Sequence, residues 1–171
     1  LVADEVVGLT TENIALAQQA IAEFVGLEHR LEYVGKFRGI DFYNDSISTI
    51  PEAMERAIEA ITNVQTVIVG GQDRGIHREG MIEYLNQRPH LKLICLPDTG
   101  HQIFDRLTNE KYRVDNLEQA VKIAYQVTDA GQACVLSPAS PSYTFFKNFE
   151  ERGRIFKQQV VDQAQQLEKP L

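Results

Sequence analysis

Three polar loops in the 171-residue sequence carry the side chains best suited to chemistry. The first, residues 43–52, follows an apolar run and contains Asp45 and Thr49 among short polar residues. Backbone N–H groups at the start of a helix favour anions, so this loop could hold a phosphate or a carboxylate. The same residue types cap helices and form turns, which leaves a purely structural role open, with Thr49 as a helix cap.

The second loop is Gly70-Gly71-Gln72-Asp73-Arg74-Gly75. Paired glycines allow the backbone to approach a ligand closely. Arg74 offers a guanidinium fork that fits a carboxylate or a phosphate. The segment is not a phosphate-binding P-loop, because no Gly-Lys-Ser/Thr follows it. A glycine-rich turn without a ligand is the alternative.

The third loop, residues 137–143, holds three serines and two prolines and leads into the segment Lys147-Asn148-Phe149-Glu150-Glu151-Arg152-Gly153. Its hydroxyl groups and stiffness suit a binding loop, and Ser142 is one of them. Phe149 also fits the apolar stripe of the helix that follows, so a core position is an alternative. His77, His90 and His101 lack metal-ligand spacing, and we predict that they are solvated or locally bonded.

The elements that must position these loops alternate along the chain. We predict strands at residues 31–34, 40–43, 66–69, 91–96, 112–114 and 133–136. Helices are predicted at residues 11–25, from Thr49 onward, at 78–86 and 102–107, around 117–124, and at 146–167. Gly35 and Gly39 bracket a connection between the first two strands, which indicates a hairpin. The later alternation predicts right-handed βαβ units.

The predicted fold class is therefore α/β: a Rossmann-like, doubly wound, mostly parallel sheet with helices on both faces and an N-terminal hairpin. In such sheets ligands bind beyond the carboxyl ends of the strands. That rule selects the loops after Tyr43, Val69, Leu96 and Leu136. Three of them are the polar loops above, and the loop after Leu96 has the composition of a cap and turn.

Composition excludes several other functions. A net charge of −7 argues against a broad nucleic-acid surface, and no apolar run reaches the roughly 18 residues of a membrane span. The sequence starts without a signal peptide or an initiator Met, so we expect a piece of a longer protein. Cys95 and Cys134 lie in apolar strand-like runs, which predicts buried, reduced thiols and a cytoplasmic location.

The order and spacing of these segments resemble the Mur ligases, and among them most closely the member that adds glutamate. The matching segments are His29-Arg30, Asn44-Asp45-Ser46, Gly70-Gly71 with its basic residue, Ser137-Pro138-Ala139, and residues 147–153. The resemblance covers nearly the whole chain, and its last segment is the most specific. It implies that residues 28–171 are the C-terminal Mur ligase domain and that residues 1–27 end the central ATP-binding domain with its last helix.

The resemblance also implies site residues. Asn13, Arg30 and Asp45 stand where the family contacts ATP. Four residues stand where it surrounds the incoming amino acid: Thr49, Arg74, Ser142 and Phe149. No catalytic residue and no metal ligand is expected within this chain. Mg²⁺ would be held mainly by the missing N-terminal and central domains.

The implied activity is ATP-dependent ligation of glutamate, with D-glutamate favoured, to UDP-N-acetylmuramoyl-L-alanine through an acyl phosphate, in peptidoglycan precursor synthesis. The fragment alone would be inactive. One departure concerns the motif Asp-Ser-Lys-Ala-Thr-Asn, in which Ile47 replaces the lysine. Arg74 would recover part of that charge, but L-glutamate becomes an open alternative.

Two further alternatives remain. The chain could belong to another amide ligase of the Mur superfamily. It could also be a non-catalytic Rossmann-like ligand-binding module, which predicts that no phosphate loop is encoded upstream.

Overall fold

The computed structural model describes residues 14–16, 18–19 and 26–168. Its strands are β1 Glu32–Phe37, β2 Ile40–Asn44, β3 Val64–Gly71, β4 Lys92–Asp98, β5 Glu110–Arg113 and β6 Ala133–Leu136. Its helices are α1 Pro51–Ala60, α2 Glu79–Asn86, α3 Thr99–Ile103, α4 Leu117–Val127 and α5 Phe149–Glu168, and a 3₁₀ turn spans Phe104–Arg106. The predicted alternation of strands and helices is confirmed.

One six-stranded sheet organises the domain, in the order β1-β2-β6-β3-β4-β5. β1 is antiparallel to β2, and the other neighbouring strands are parallel. Helices α1, α2 and α3 cover one face, where they pack on residues such as Val67 and Val135. Helices α4 and α5 cover the other face, where they pack on Ile68 and Leu136. Helices cover both faces, the central strands β3, β4 and β6 are mainly apolar and buried, and the predicted fold class is confirmed.

The N-terminal hairpin forms, but its turn lies elsewhere than predicted. β1 runs through Gly35 to Phe37, and the register shifts between Tyr33 and Gly35. The turn is Arg38-Gly39, with φ of 52° and 83°. Two successive residues with positive φ form the tight turn that matches the twist of paired strands. Gly35 therefore lies at an irregularity within the strand.

Three helix starts differ from the prediction. The helix predicted at residues 102–107 begins at Thr99 and becomes a 3₁₀ turn at Phe104, because β4 turns directly into it at Asp98, where φ is 65°. α5 begins at Phe149, three residues later than predicted. Thr49 does not cap α1: Ile50 occupies the cap position without a side-chain bond, and Pro51 fills the first helical position.

The buried face of α5 also differs from the predicted stripe. It consists of Arg152, Gly153, Phe156, Val160 and Ala164, whereas Phe149 is only half-buried. Phe149 is therefore not a core residue, because it lies at the first position of the helix, beyond the edge of the sheet.

The prediction of buried thiols is confirmed. Cys95 and Cys134 are buried and unpaired, and burial raises the pKa of the Cys95 thiol to about 12. In the part of the chain that the structure describes, no helix has the length and apolarity needed to cross a membrane.

Candidate functional site

The carboxyl ends of β2, β6 and β3 lie side by side, with Leu136 in register with both Asn44 and Ile68. The chain leaves β3 toward α2 on one face of the sheet and leaves β6 toward α5 on the other. Neighbouring parallel strands whose connections depart to opposite faces open a crevice between their loops. All three polar loops identified in the sequence meet at this crevice.

Arg30 and Asp45 are brought together on the β2 side. Asp45 is 4% exposed, and its carboxylate accepts hydrogen bonds from the Leu31 N–H at 3.2 Å and the Ser137 hydroxyl at 2.8 Å. Burial raises the pKa of Asp45, and the bonds from Ser137 and Leu31 and the charge of Arg30 offset only part of that effect. The carboxylate thus bonds to Leu31, just before β1, and to Ser137, just after β6, and no side-chain hydrogen bond caps α1.

A cavity of about 230 Å³ opens beside this pair. Its lining comprises Arg30, Leu31, Asp45, Ile47, Ser48, Ala53, Arg56 and Ala57. Two guanidinium groups and one buried carboxylate therefore line the same space. The buried Ser48 hydroxyl also lies there, close enough to Asp45 to lower the pKa of that carboxyl. Asn13, the third expected nucleotide contact, lies outside the described residues.

The expected amino-acid residues lie on all three loops. Thr49 is half-buried on the loop after β2, and Arg74 is exposed on the loop after β3. The Arg74 guanidinium lies 5.3 Å from the centre of the Tyr143 ring, a cation–π contact. Ser142, next to that tyrosine, is 2% exposed. The structure thus brings the Arg74 loop against the Ser142 loop.

Phe149 stands at the start of α5, with its ring edge-on to the His29 ring at a centroid distance of 6.0 Å. Its carbonyl accepts a hydrogen bond from the Ser46 hydroxyl at 2.8 Å. Phe149 is therefore attached to the loop after β2 through its backbone, and its ring remains half-exposed at the same edge of the sheet.

Gly70 and Gly71 lie in close contact with backbone atoms of neighbouring segments. A Cβ on Gly70 would lie 2.7 Å from the Leu96 carbonyl oxygen, and one on Gly71 would lie 2.5 Å from that of Pro141. The loops after β3 and β6 bond directly, with Gly70 N–H donating to the Pro138 carbonyl at 2.9 Å. Gly70 is thus explained by close packing against β4, and Gly71 by close packing against the loop after β6, without a ligand.

Thr99 contradicts the expectation of an ordinary turn after Leu96. Its hydroxyl lies 2.9 Å from the Gly71 carbonyl and 2.8 Å from the Ser140 hydroxyl, and it accepts from the Gly71 N–H at 3.0 Å. This buried threonine fastens the glycine turn to the serine loop. Sequence inspection missed it, because a threonine after Asp98 looks like a helix cap.

Arg152 is a second residue that inspection of the sequence missed. It is 1% exposed, and it bonds to Ser46 on one loop and Ser140 on another. A cavity of about 340 Å³ lies between the loops after β3 and β6 and helices α4 and α5, lined among others by Gly71, Ser142 and Arg152. An arginine within an otherwise acidic first turn was the available signal.

Gly153 ends the segment of residues 147–153 and lies in close contact with two other segments of the chain. A Cβ there would collide with the His29 ring and lie 2.9 Å from the Asn44 amide nitrogen. The same Asn44 nitrogen lies 2.9 Å from His29 Nδ1 and donates to Glu32 at 2.9 Å. The segments around residues 29, 44 and 153 are therefore in direct contact, which accounts for their joint occurrence.

One acidic cluster within the described ranges has the geometry to attract a metal ion: Glu28, His29 and Glu32, with ligand atoms within 4.8 Å. The Lys157 ammonium already lies 2.9 Å from Glu28 and 2.7 Å from Glu32. Burial raises the pKa of Glu32, but bonds from Lys157, His29 N–H and Asn44 outweigh it, and the pKa is lowered overall. The Lys157 ammonium thus occupies the position between the two carboxylates that a metal ion would take.

The family described as Mur ligase, glutamate ligase domain, matches residues 29–140. The chain is 36% identical over 168 residues to the UDP-N-acetylmuramoylalanine–D-glutamate ligase of Caldanaerobacter subterraneus subsp. tengcongensis, covering 95% of this chain and 37% of that protein. It is 41% identical over 150 residues to the UDP-N-acetylmuramoyl-L-alanine–L-glutamate ligase of Salinispora tropica, covering 85% and 33%. The chain thus spans about a third of the length of these relatives.

Solved structures share the fold. The UDP-N-acetylmuramate-alanine ligase of Thermotoga maritima superposes with a TM-score of 0.59 at 18% identity, over 91% of this chain and 34% of that one. A bifunctional folylpolyglutamate synthase/dihydrofolate synthase of Yersinia pestis gives 0.61 at 17% identity, over 89% and 35%.

Proposed function

The chain belongs to the Mur ligase family, through its glutamate ligase domain, and on that premise we propose that it brings glutamate to an ATP-dependent ligase of peptidoglycan synthesis. One observation carries the proposal: the loops bearing Thr49, Arg74 and Ser142 converge on one crevice beside the Arg30–Asp45 pair. A cation and hydroxyl groups suit an acidic amino acid, and the neighbouring cavity of about 230 Å³ beside Arg30 and Asp45 suits part of an ATP molecule.

In this proposal the residues divide into two groups. Arg30 and Asp45 contact ATP from this domain, together with Asn13. Thr49, Arg74, Ser142 and Phe149 surround glutamate. The exposed Arg74 guanidinium is free to form a charge-assisted bond to a carboxylate, and such bonds are about twice as strong as neutral ones.

The chemistry proposed for the whole enzyme is amide formation through an acyl phosphate. The carboxylate of UDP-N-acetylmuramoyl-L-alanine takes the γ-phosphoryl group of ATP and ADP leaves. The glutamate amine attacks the acyl carbon and loses a proton, and phosphate departs. This chain contributes by holding the amine close to the acyl carbon, and such positioning lowers the barrier by removing translational freedom.

Mg²⁺, when bound with ATP, would neutralise phosphate charge. Its ligands are assigned mainly to the N-terminal and central domains, because Lys157 fills the acidic cluster found among the described residues. We assign residues 28–171 to the C-terminal Mur ligase domain and residues 1–27 to the end of the central domain. The family match from residue 29 supports this boundary. A cytoplasmic location agrees with two unpaired buried cysteines.

D-glutamate is the proposed substrate, because the relative from Caldanaerobacter is named as a D-glutamate ligase. L-glutamate is a second candidate on one observation. Ile47 is 37% exposed at the crevice, where the family motif has a lysine, and the similar Salinispora protein is named for L-glutamate. The two enantiomers present the same groups in mirror arrangement, so a changed pocket wall could exchange them.

The deciding experiment uses the full-length enzyme with ATP and UDP-N-acetylmuramoyl-L-alanine. Phosphate release is measured with D-glutamate, L-glutamate, and a panel of neutral and basic amino acids. We expect D-glutamate to be used most efficiently. This chain alone, the control, should release no phosphate, since the proposed phosphate loop lies in another domain.

Efficient use of L-glutamate alone would change the proposed substrate to the L enantiomer and leave the proposed ligase activity unchanged. Use of a neutral or basic amino acid with neither glutamate accepted would refute the glutamate assignment. The non-catalytic module is not favoured, because the relatives reported above are named as ligases. An upstream coding region without a phosphate loop would revive it.

A further inference from the structure

Arg152 lies in the first turn of α5. Among the described residues it is the largest side chain that is completely buried. A guanidinium carries five N–H donors and a full positive charge. Removing such a group from water is costly unless its donors are bonded and its charge is used. The position of Arg152 therefore calls for an explanation beyond packing.

The hydrogen bonds of Arg152 join two loops of the crevice. Nε donates to the Ser46 hydroxyl at 3.0 Å, and a terminal nitrogen donates to the Ser46 carbonyl at 2.7 Å. The other terminal nitrogen donates to the Ser140 carbonyl at 2.9 Å. Thr49 follows Ser46 by three residues and Ser142 follows Ser140 by two, so one side chain sets the spacing of both loops.

The charge of Arg152 has no protein counter-ion among the described residues. Its three acceptors are a hydroxyl and two carbonyls. Burial lowers the pKa of the guanidinium to about 9, which leaves it charged at neutral pH. An uncompensated buried cation favours an anion nearby. Glutamate brings two carboxylates to a crevice in which Ile47 has replaced the motif lysine.

We propose that Arg152 is a positioning residue for glutamate. It holds the loops of Thr49 and Ser142 at a fixed spacing and supplies positive charge that favours the carboxylates of the amino acid. The inference rests on the proposed function. It adds a buried cation that bonds to two of the loops, whereas Arg74 lies at the surface.

The test compares Arg152→Lys and Arg152→Gln in the full-length enzyme, with Arg154→Lys and Arg154→Gln as matched controls. Arg154 lies on the same helix but is exposed. Lysine keeps the charge and loses the fork, whereas glutamine loses both. We expect the glutamate KM to rise about 10-fold for Arg152→Lys and about 100-fold for Arg152→Gln. The ATP KM should change less than about 3-fold, and the Arg154 variants should match the wild type.

A rise of both KM values by the same factor, together with a lower Tm, would reduce Arg152 to a structural residue and overturn the inference. An unchanged glutamate KM in Arg152→Lys and Arg152→Gln would also overturn it. Both results leave the proposed function intact. A wild-type enzyme that uses no glutamate would refute the proposed function and this inference together.

Should both Arg152 variants be insoluble, Ser46→Ala tests the same network. It removes one acceptor of Arg152 and the donor to the Phe149 carbonyl while the guanidinium stays in place. The expected result is a glutamate KM raised about 3- to 10-fold, with the ATP KM unchanged. A Ser46→Ala enzyme with wild-type glutamate KM would overturn the inference.

Discussion

At the scale of single residues, Arg74 has the clearest functional geometry. Arg74 is exposed, and its guanidinium makes a cation–π contact with the Tyr143 ring. Neighbouring Arg78 differs, because it bonds to Asp73 at 2.9 Å and to the Ile76 carbonyl at 3.0 Å. One arginine of the loop therefore stabilises the loop, and the other remains available to a ligand.

Arg74→Ala in the full-length enzyme should raise the glutamate KM far more than the ATP KM. A charge-assisted hydrogen bond is worth about 1.5–3 kcal/mol, which corresponds to roughly 10- to 150-fold in apparent affinity. Stability should change by less than about 0.5 kcal/mol, since the side chain is on the surface. Steady-state kinetics and Tm of this variant are compared with those of Arg154→Ala. Wild-type kinetics in Arg74→Ala would remove Arg74 from the site.

At the scale of elements, the first turn of α5 is where distant segments meet. Within two turns of this helix, Phe149 contacts His29, Arg152 bonds to two loops, and Gly153 lies against Asn44. The glycine permits the helix to approach β2 closely. A side chain at that position would push the helix start away from the crevice.

Gly153→Ala in this chain should be destabilising even though alanine favours helices. The added Cβ would collide with the buried His29 ring, and overpacking costs about 1–3 kcal/mol. For a chain of this size that lowers Tm by roughly 2–12 °C.

Gly80→Ala is the matched control, because Gly80 is also helical and a Cβ there meets nothing within 4 Å. That variant should be neutral or stabilised by up to about 1 kcal/mol. Equal Tm values for Gly153→Ala and the wild type would show that the His29 ring moves aside without cost.

At the scale of the whole molecule, Lys157 on α5 connects the helix to the beginning of the domain. Its ammonium bonds to Glu28 and to Glu32 of β1, residues separated from it by more than 120 positions. The hydrogen bond from Lys157 lowers the pKa of Glu28, and the positive charge of Lys157 lowers it further. The pKa of Glu32 is lowered as well, despite its burial.

These lowered pKa values predict weaker folding in acid. A carboxyl with a lowered folded pKa contributes stability above its usual pKa, near 4.5 here, and loses it as pH falls through the folded value. After discounting for solvent screening, the Glu32–Lys157 pair contributes about 0.5–1 kcal/mol. The fall in Tm from pH 7 to pH 3 should therefore be smaller in Lys157→Met than in the wild type, by roughly 1–4 °C.

Lys122→Met is the control for this measurement. Lys122 pairs with Glu118 on the exposed surface of α4, so its loss should leave the acid dependence of Tm close to that of the wild type. Parallel Tm curves for Lys157→Met and the wild type would contradict the assigned role of the Glu28–Glu32–Lys157 network.

The sequence by itself determined the fold class and the loops that carry the candidate site. Apolar runs and helical periodicity reflect which neighbouring positions are buried, so strands and helices could be placed to within a few residues. The rule that ligands bind at the carboxyl ends of parallel strands then selects the loops with Asp45, Arg74 and Ser142. The resemblance to Mur ligases came from the same segments, and the family match confirms it.

Only the tertiary structure decided which side chains hold those loops together. Ser46 and Arg152 are 106 positions apart, and their contact exists because β6 lies between β2 and β3. Local patterns contain no information about strand order, so the sequence indicated no separate role for Arg152 and only a cap and turn at Thr99. The same limit explains Gly70 and Gly71, whose need for glycine comes from the backbone of other segments.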